Sequence, residues 1–182
     1  MKQMKSLYPI DLGITTCYML NARDGYLLID TGYEKDYPKF RRALAKLGIG
    51  VEEIRWLLLT HHHDDHAGFA ARLVEETGCR LIVHTDAVEP LARGESLETM
   101  EPLNGCIRAV FELFSIFHGG FRYPPLSVGA GDGGRIIVEA DREIPDETGI
   151  SGRIITTPGH CGDSISVILD GGEAFVGDAG MN

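Results

Sequence analysis

A layered α/β domain is the fold class this sequence predicts, and three observations predict it. Apolar runs of strand length alternate with helix-period segments in the first half, as at Ile54 to Leu59 and then Phe69 to Thr77. From Gly134 onward strand-like segments dominate. Between the run ending at Leu59 and the helical pattern from Phe69 lies Thr60-His61-His62-His63-Asp64-Asp65-His66-Ala67-Gly68. A loop leading from a strand's C-terminal end into a helix is the usual place for a site in such folds. At 182 residues the chain is most simply one domain, long enough to bury a sizeable core.

In chain order, Thr15 to Asn21 and Tyr26 to Asp30 read as strands joined by the turn Ala22-Arg23-Asp24-Gly25. The second ends in Asp30-Thr31-Gly32, a carboxylate beside a glycine turn that could cap its own loop. Asp36 reads as an N-cap with Pro38 in the first helical turn, apolar Phe40, Ala43, Leu44 and Leu47 on one face, and Gly48 as the stop. Lys39, Arg41, Arg42 and Lys46 fall on other faces, as a solvated helix surface requires. After the His/Asp loop, Phe69, Ala70, Leu73, Val74 and Thr77 keep helical spacing until Gly78. Leu81 to His84 is the next strand, with His84 read as packed or capping rather than as a ligand.

Ile107, Val110, Phe111, Phe114 and Phe117 then recur at helical spacing up to Gly119-Gly120, followed by the aromatic, proline-rich Phe121 to Leu126. Two readings of this region stand side by side. It is an amphipathic helix covering core, or an insertion whose aromatics wall a pocket or form a subunit contact. The closing strands are 135–139, 153–157, 164–169 and 174–176, with a hairpin turn at Asp170-Gly171-Gly172.

The His/Asp loop carries the chemistry. Imidazole and carboxylate together suit zinc, iron or manganese, and the short spacing lets several side chains converge on one point. Packing so many ionisable groups together without a cation costs desolvation and repulsion. The wider composition bounds the partners. A formal charge of −10 argues against a nucleic-acid groove, so a small-molecule substrate is expected. Leu7 to Ile10 is soon interrupted by Asp11 and Gly13, so neither a signal peptide nor a membrane span is read, and a cytoplasmic location is expected. The four cysteines (Cys17, Cys79, Cys106, Cys161) form no metal or disulfide pattern and read as reduced thiols. Cys161, directly after His160, is either a small residue beside the site or a thiolate available as a soft ligand.

His61-x-His63-x-Asp65-His66, flanked by Thr60 and Gly68, resembles the signature of the metallo-beta-lactamase superfamily. Leu28-Ile29-Asp30-Thr31-Gly32, Thr157-Pro158-Gly159-His160 and Gly177-Asp178-Ala179 extend the likeness over nearly the whole chain, in the family's order. The resemblance implies a four-layer αβ/βα sandwich over 1–182, with a helical and aromatic insertion at about 91–128 and metals at one edge of two sheets. It also implies that His61, His63 and His160 hold a first metal, that Asp65 and His66 hold a second, and that Asp178 bridges them. Asp65 would further orient the nucleophile, and Asp30 would support the ligand loops from behind. His62 and Asp64, between the ligands, should point elsewhere, and Asp163 is expected to form a turn.

The activity so implied is hydrolysis of a small ester-like substrate, such as a thioester or lactone, by a metal-bound hydroxide, with two zinc ions expected and iron or manganese as alternatives. This is similar to the glyoxalase II branch of the superfamily. The competing reading is an iron-dependent oxidoreductase of the sulfur dioxygenase type, and a third is a non-catalytic partner protein. The family supplies one more histidine to the second metal, whereas no histidine follows His160 here and the sequence stops four residues after Asp178. The simplest account is a fragment whose fold is incomplete at its C-terminus. The rarer alternative is that His118 or water completes the second site, and open sheet edges would need cover by homodimerisation or strand exchange.

Overall fold

The computed structural model describes residues 7–96, 121–127 and 134–180. Strands β1 (Leu7–Asp11), β2 (Thr16–Ala22) and β3 (Gly25–Ile29) form an antiparallel run. Strands β4 (Ile54–Leu58), β5 (Arg80–His84) and β6 (Arg135–Val138) then add in parallel, giving a six-stranded sheet in sequence order. A second sheet is wholly antiparallel and pairs β7 (Arg142–Glu143), β8 (Gly152–Thr156), β9 (Ile165–Leu169) and β10 (Ala174–Phe175) as sequential neighbours.

The parallel pairs need crossovers, and helices provide them. Helix α1 (Tyr37–Leu47) links β3 to β4, burying Tyr37, Phe40 and Leu44 and ending at Gly48 with φ 72°. After β4 comes the single turn α2 (Asp64–Ala67), then α3 (Ala70–Thr77), which buries Ala70 and Leu73 and stops at Gly78. Helix α4 (Val88–Arg93) follows β5.

The central strands alternate their side chains between two cores. Leu28 in β3, with Leu57 and Leu59 from the β4 run, faces Phe40, Phe69 and Leu73 of the helical layer. Leu27, Ile29, Trp56 and Leu58 face Ile154, Ile165, Val167 and Phe175 of the second sheet. Each such side chain fully buried contributes about 1.5–3 kcal/mol. Burial on both faces explains why Ile54 to Leu59 reads as a nearly continuous apolar run rather than an alternation. Helices, first sheet and second sheet thus stack as three successive layers of the expected sandwich.

Several elements depart from expectation. The strand β1, read from sequence only as a broken apolar stretch, pairs with β2 along its length and carries Pro9 at the sheet edge, where a missing donor is tolerated. The first hairpin is tighter than predicted, because β2 runs to Ala22 and β3 starts at Gly25. A Cβ at Gly25 would lie 2.2 Å from the Glu53 carbonyl oxygen, at φ 140°, so glycine is required there. Leu47, expected on the buried face of α1, is 45% exposed at the helix end. The predicted helix through Ile107 to Phe117, with Cys106 and His118, lies outside the described residues. No helix among the described residues is long and apolar enough to cross a membrane.

Candidate metal centre

Four loops meet at one edge of the two sheets: those after β3, β4, β8 and β10. The sheets are joined there by main chain, since Ile165 N–H donates to the Thr60 carbonyl at 2.8 Å. The β4 loop brings His61, His63, Asp65 and His66; the β8 loop brings His160, and the turn after β10 brings Asp178.

All six expected residues gather at this edge. Ligand atoms of His61, His63 and His160 lie within 4.8 Å of one another, as do those of His61, His66 and Asp178. His63 Nδ1 is 3.0 Å from His160 Nε2. Asp178 stands between the two groups, 3.3 Å from His66 Nε2 through one oxygen and 3.6 Å from His160 Nε2 through the other. Asp65 Oδ2 is 3.7 Å from His66 Nε2.

Asp30 organises the rear of the site. Its backbone takes φ 58°, which Asp tolerates better than most residues. One carboxylate oxygen accepts from Thr60 N–H at 2.7 Å, and the other accepts from the Thr60 hydroxyl at 2.7 Å and from His66 Nδ1 at 2.9 Å. The second bond fixes His66 with Nε2 turned toward Asp178. Since the Thr60 hydroxyl donates to Asp30, its 3.2 Å contact with His61 Nδ1 has the imidazole as donor. His61 Nε2 then carries a lone pair, and that atom is buried with no hydrogen-bond partner. An orphaned buried acceptor among further imidazoles and a carboxylate is what a cation would satisfy, so the residues present fit a metal.

The electrostatics agree. Burial, with His66, His63 and His160 nearby, holds the His61 pKa far below its ordinary value. Burial together with His62 and His160 lowers His63 to about 4. His66 goes the other way, because Asp30 and Asp178 outweigh the opposing effect of burial and raise it well above the usual range. The hydrogen bond from His66 lowers Asp178, while burial raises Asp65.

Two glycines make the approach of the loops possible. A Cβ at Gly68 would lie 2.3 Å from the Asp64 carbonyl oxygen and 2.6 Å from that of Gly32. One at Gly177, where φ is 50°, would lie 2.7 Å from the Thr60 hydroxyl.

His62 and Asp64 are both buried, and His62 does not turn clear of the site. Ligand atoms of His62, His63 and Cys161 lie within 4.8 Å of one another, and His62 Nε2, like His61 Nε2, is buried with no hydrogen-bond partner. His62 N–H donates to Asp163 Oδ2 and its Nδ1 to Asp163 Oδ1, each at 2.9 Å, while Tyr123 O–H donates to the His62 carbonyl at 2.6 Å. Asp64 N–H donates to Ser96 Oγ at 2.8 Å. Asp163, expected only to shape a turn, is thus a buried acceptor for a loop 101 residues away. Its sequence setting, between Gly162 and Ser164, gives only a turn signal. Burial and then Asp163 push the Cys161 thiol up to about 12. His84 caps the turn after β5, accepting from Asp86 N–H at 3.2 Å.

Known proteins resemble this chain in sequence and in fold. The family model described as the metallo-beta-lactamase superfamily matches residues 10–182. Hydroxyacylglutathione hydrolases of Bradyrhizobium sp. and Rhodopseudomonas palustris are 25% and 27% identical, over 90% and 92% of this chain. They are covered over 49% and 51% of their own lengths, so the chain spans about half of these curated relatives. Among solved structures, a metallo-beta-lactamase of Cronobacter sakazakii superposes with a TM-score of 0.69 at 25% identity, over 93% of this chain and 59% of that one. A subclass B3 metallo-beta-lactamase of Bradyrhizobium japonicum, 22% identical, gives 0.70 over 96% and 58% and speaks to the fold alone. With the ligand loops at one sheet edge and the family model spanning almost the entire sequence, the chain belongs to the metallo-beta-lactamase superfamily.

Proposed function

We propose that this chain provides the metal-holding core of a metal-dependent hydrolase, with two zinc ions, acting on a small ester-like substrate. The observation that carries this is His61 Nε2, a buried lone pair with no partner, in reach of both ligand groups. His61, His63 and His160 would hold the first ion; His66 and Asp65 would hold the second, with Asp178 between. Zinc bound there would supply an activated water near neutral pH and would polarise the scissile acyl oxygen.

The chain's own residues do the rest. Asp30 keeps the proton of His66 on Nδ1 and so presents Nε2 to the centre. The Thr60 hydroxyl does the same for His61, accepting its Nδ1–H so that Nε2 stays unprotonated. Asp65, with Oδ2 3.7 Å from His66 Nε2, would orient that water, and no serine or cysteine nucleophile would be needed. The hydroxyacylglutathione hydrolase names of two relatives favour a thioester over a lactone or a beta-lactam. The net charge of −10 disfavours a polyanion.

The deciding experiment is elemental analysis of the purified chain, followed by assays on thioesters and lactones with the protein zinc-loaded or chelator-stripped. Close to two zincs per chain with zinc-dependent thioester cleavage is the expected result. Iron as the bound metal, or a chain that takes up none, overturns the proposal.

A further inference from the structure

We infer that Asp163 is a positioning residue for the metal centre, holding the His61–His66 loop against the His160 loop through His62. The inference rests on the proposed metal site, because its purpose is to set ligand separations there.

The ligands of the first group come from two segments nearly a hundred residues apart in sequence, and His63 and His160 approach to 3.0 Å across that gap. Backbone pairing contributes one tie between these segments, the Ile165–Thr60 bond. Asp163 contributes two more, and both are directional. One oxygen takes the His62 peptide N–H and the other takes its ring Nδ1–H, so the carboxylate fixes peptide and side chain of the same residue. His62 lies directly between the ligands His61 and His63, and Asp163 lies three residues beyond the ligand His160. A rotation of either loop that moved a ligand would have to break these bonds, inside a region where Asp163 is 3% and His62 2% exposed. Lost bonds there cannot be replaced by water, which makes the arrangement stiff.

A further tie comes from outside these loops. Tyr123 O–H holds the His62 carbonyl at 2.6 Å, and the Tyr123 N–H is itself held by the Gly94 carbonyl at 3.0 Å. His62 is therefore gripped at its N–H, its ring Nδ1 and its carbonyl, while its Nε2 stays buried without a partner beside His63. Outer partners of this kind typically change metal affinity 10–100-fold when removed.

The test is a double-substitution cycle on zinc affinity, read by chelator competition, with Asp163→Asn, His62→Gln and both together. The expected result is a loss of about tenfold for each single variant and no further loss in the pair, since both remove one shared contact. Cobalt-loaded Asp163→Asn should also show a visible spectrum shifted from that of the unaltered protein, because the spectrum reports ligand geometry. Wild-type zinc affinity in Asp163→Asn, or losses that multiply in the pair, overturns the inference while leaving the metal site standing. If Asp163→Asn does not fold without zinc, His62→Gln decides alone, and unchanged affinity there overturns it. An unaltered chain that binds no zinc removes both this inference and the proposed function.

Discussion

On one side of the centre His61 and His63 are imidazoles that burial keeps neutral, with pKa values below their ordinary range. On the other, His66 sits between the carboxylates of Asp30 and Asp178 and is held charged. His61 and His63 are ready to donate lone pairs over the whole neutral range. The second must release a proton before His66 Nε2 can act as a ligand. The same residue type therefore plays two electrostatic roles within one short loop, set by whether its neighbours are imidazoles or carboxylates. Metal uptake at the second position should accordingly rise with pH, while the first fills earlier.

The strongest break of this comparison is His61→Ala, because His61 belongs to both ligand groups. Zinc affinity should fall by more than about 100-fold, beyond what outer partners cost, with the zinc-free chain still folded; dialysis and elemental analysis check it. Retained stoichiometry would remove His61 from the site. Next is Asp30→Asn, which keeps the tolerance for φ 58° but removes the charge facing His66. Uptake at the second position should drop about 10–100-fold and lose its rise with pH, the first changing less. Equal losses at both would show that the two halves are not distinct.

A smaller effect concerns the metal-free chain in acid. His63 titrates near 4 when folded, below the ordinary histidine value of about 6.5. Between those values the unfolded chain binds the extra proton, so this group makes stability fall as pH drops through that window. His66 has the opposite sign: its raised pKa gives stability that is complete below the unfolded value and lost as pH climbs through the folded one. Thermal melts in chelator should therefore show stability falling as pH drops from about 6.5 to about 4 through His63, and falling as pH rises above neutrality through His66. The smallest effect is His84→Ala, which removes a cap and should cost about 1 kcal/mol with zinc affinity unchanged.

The ligand loop was legible because its chemistry is local: His61, His63, Asp65 and His66 are close in sequence, at the end of an apolar run. Gly78 and Gly48 marked helix ends correctly, since their left-handed φ is a backbone demand that sequence records directly. What was not legible depends on distant pairing. The strand β1 mixes Tyr8 and Pro9 with Asp11 and is a strand only because β2 lies beside it. The two-residue β7 is too short for any periodicity. Asp163 looks like any turn aspartate until His62 is seen against it, and Ser96 and Tyr123 are visible only through what they bind. Burial on both faces of β3 and β4 also hides which residues meet which core, because no polar face marks the difference.

The bond from Ile165 N–H to the Thr60 carbonyl is a seam between the two sheets, sewn beside the ligands. Prying the sandwich apart at that edge would separate His160 from His63 before the rest of the hydrophobic filling is exposed. A cation seated there would act as a rivet through the seam, so exchange of the Ile165 amide proton with solvent should slow sharply when zinc is added. That single amide becomes a gauge of how firmly the two halves of the molecule are fastened.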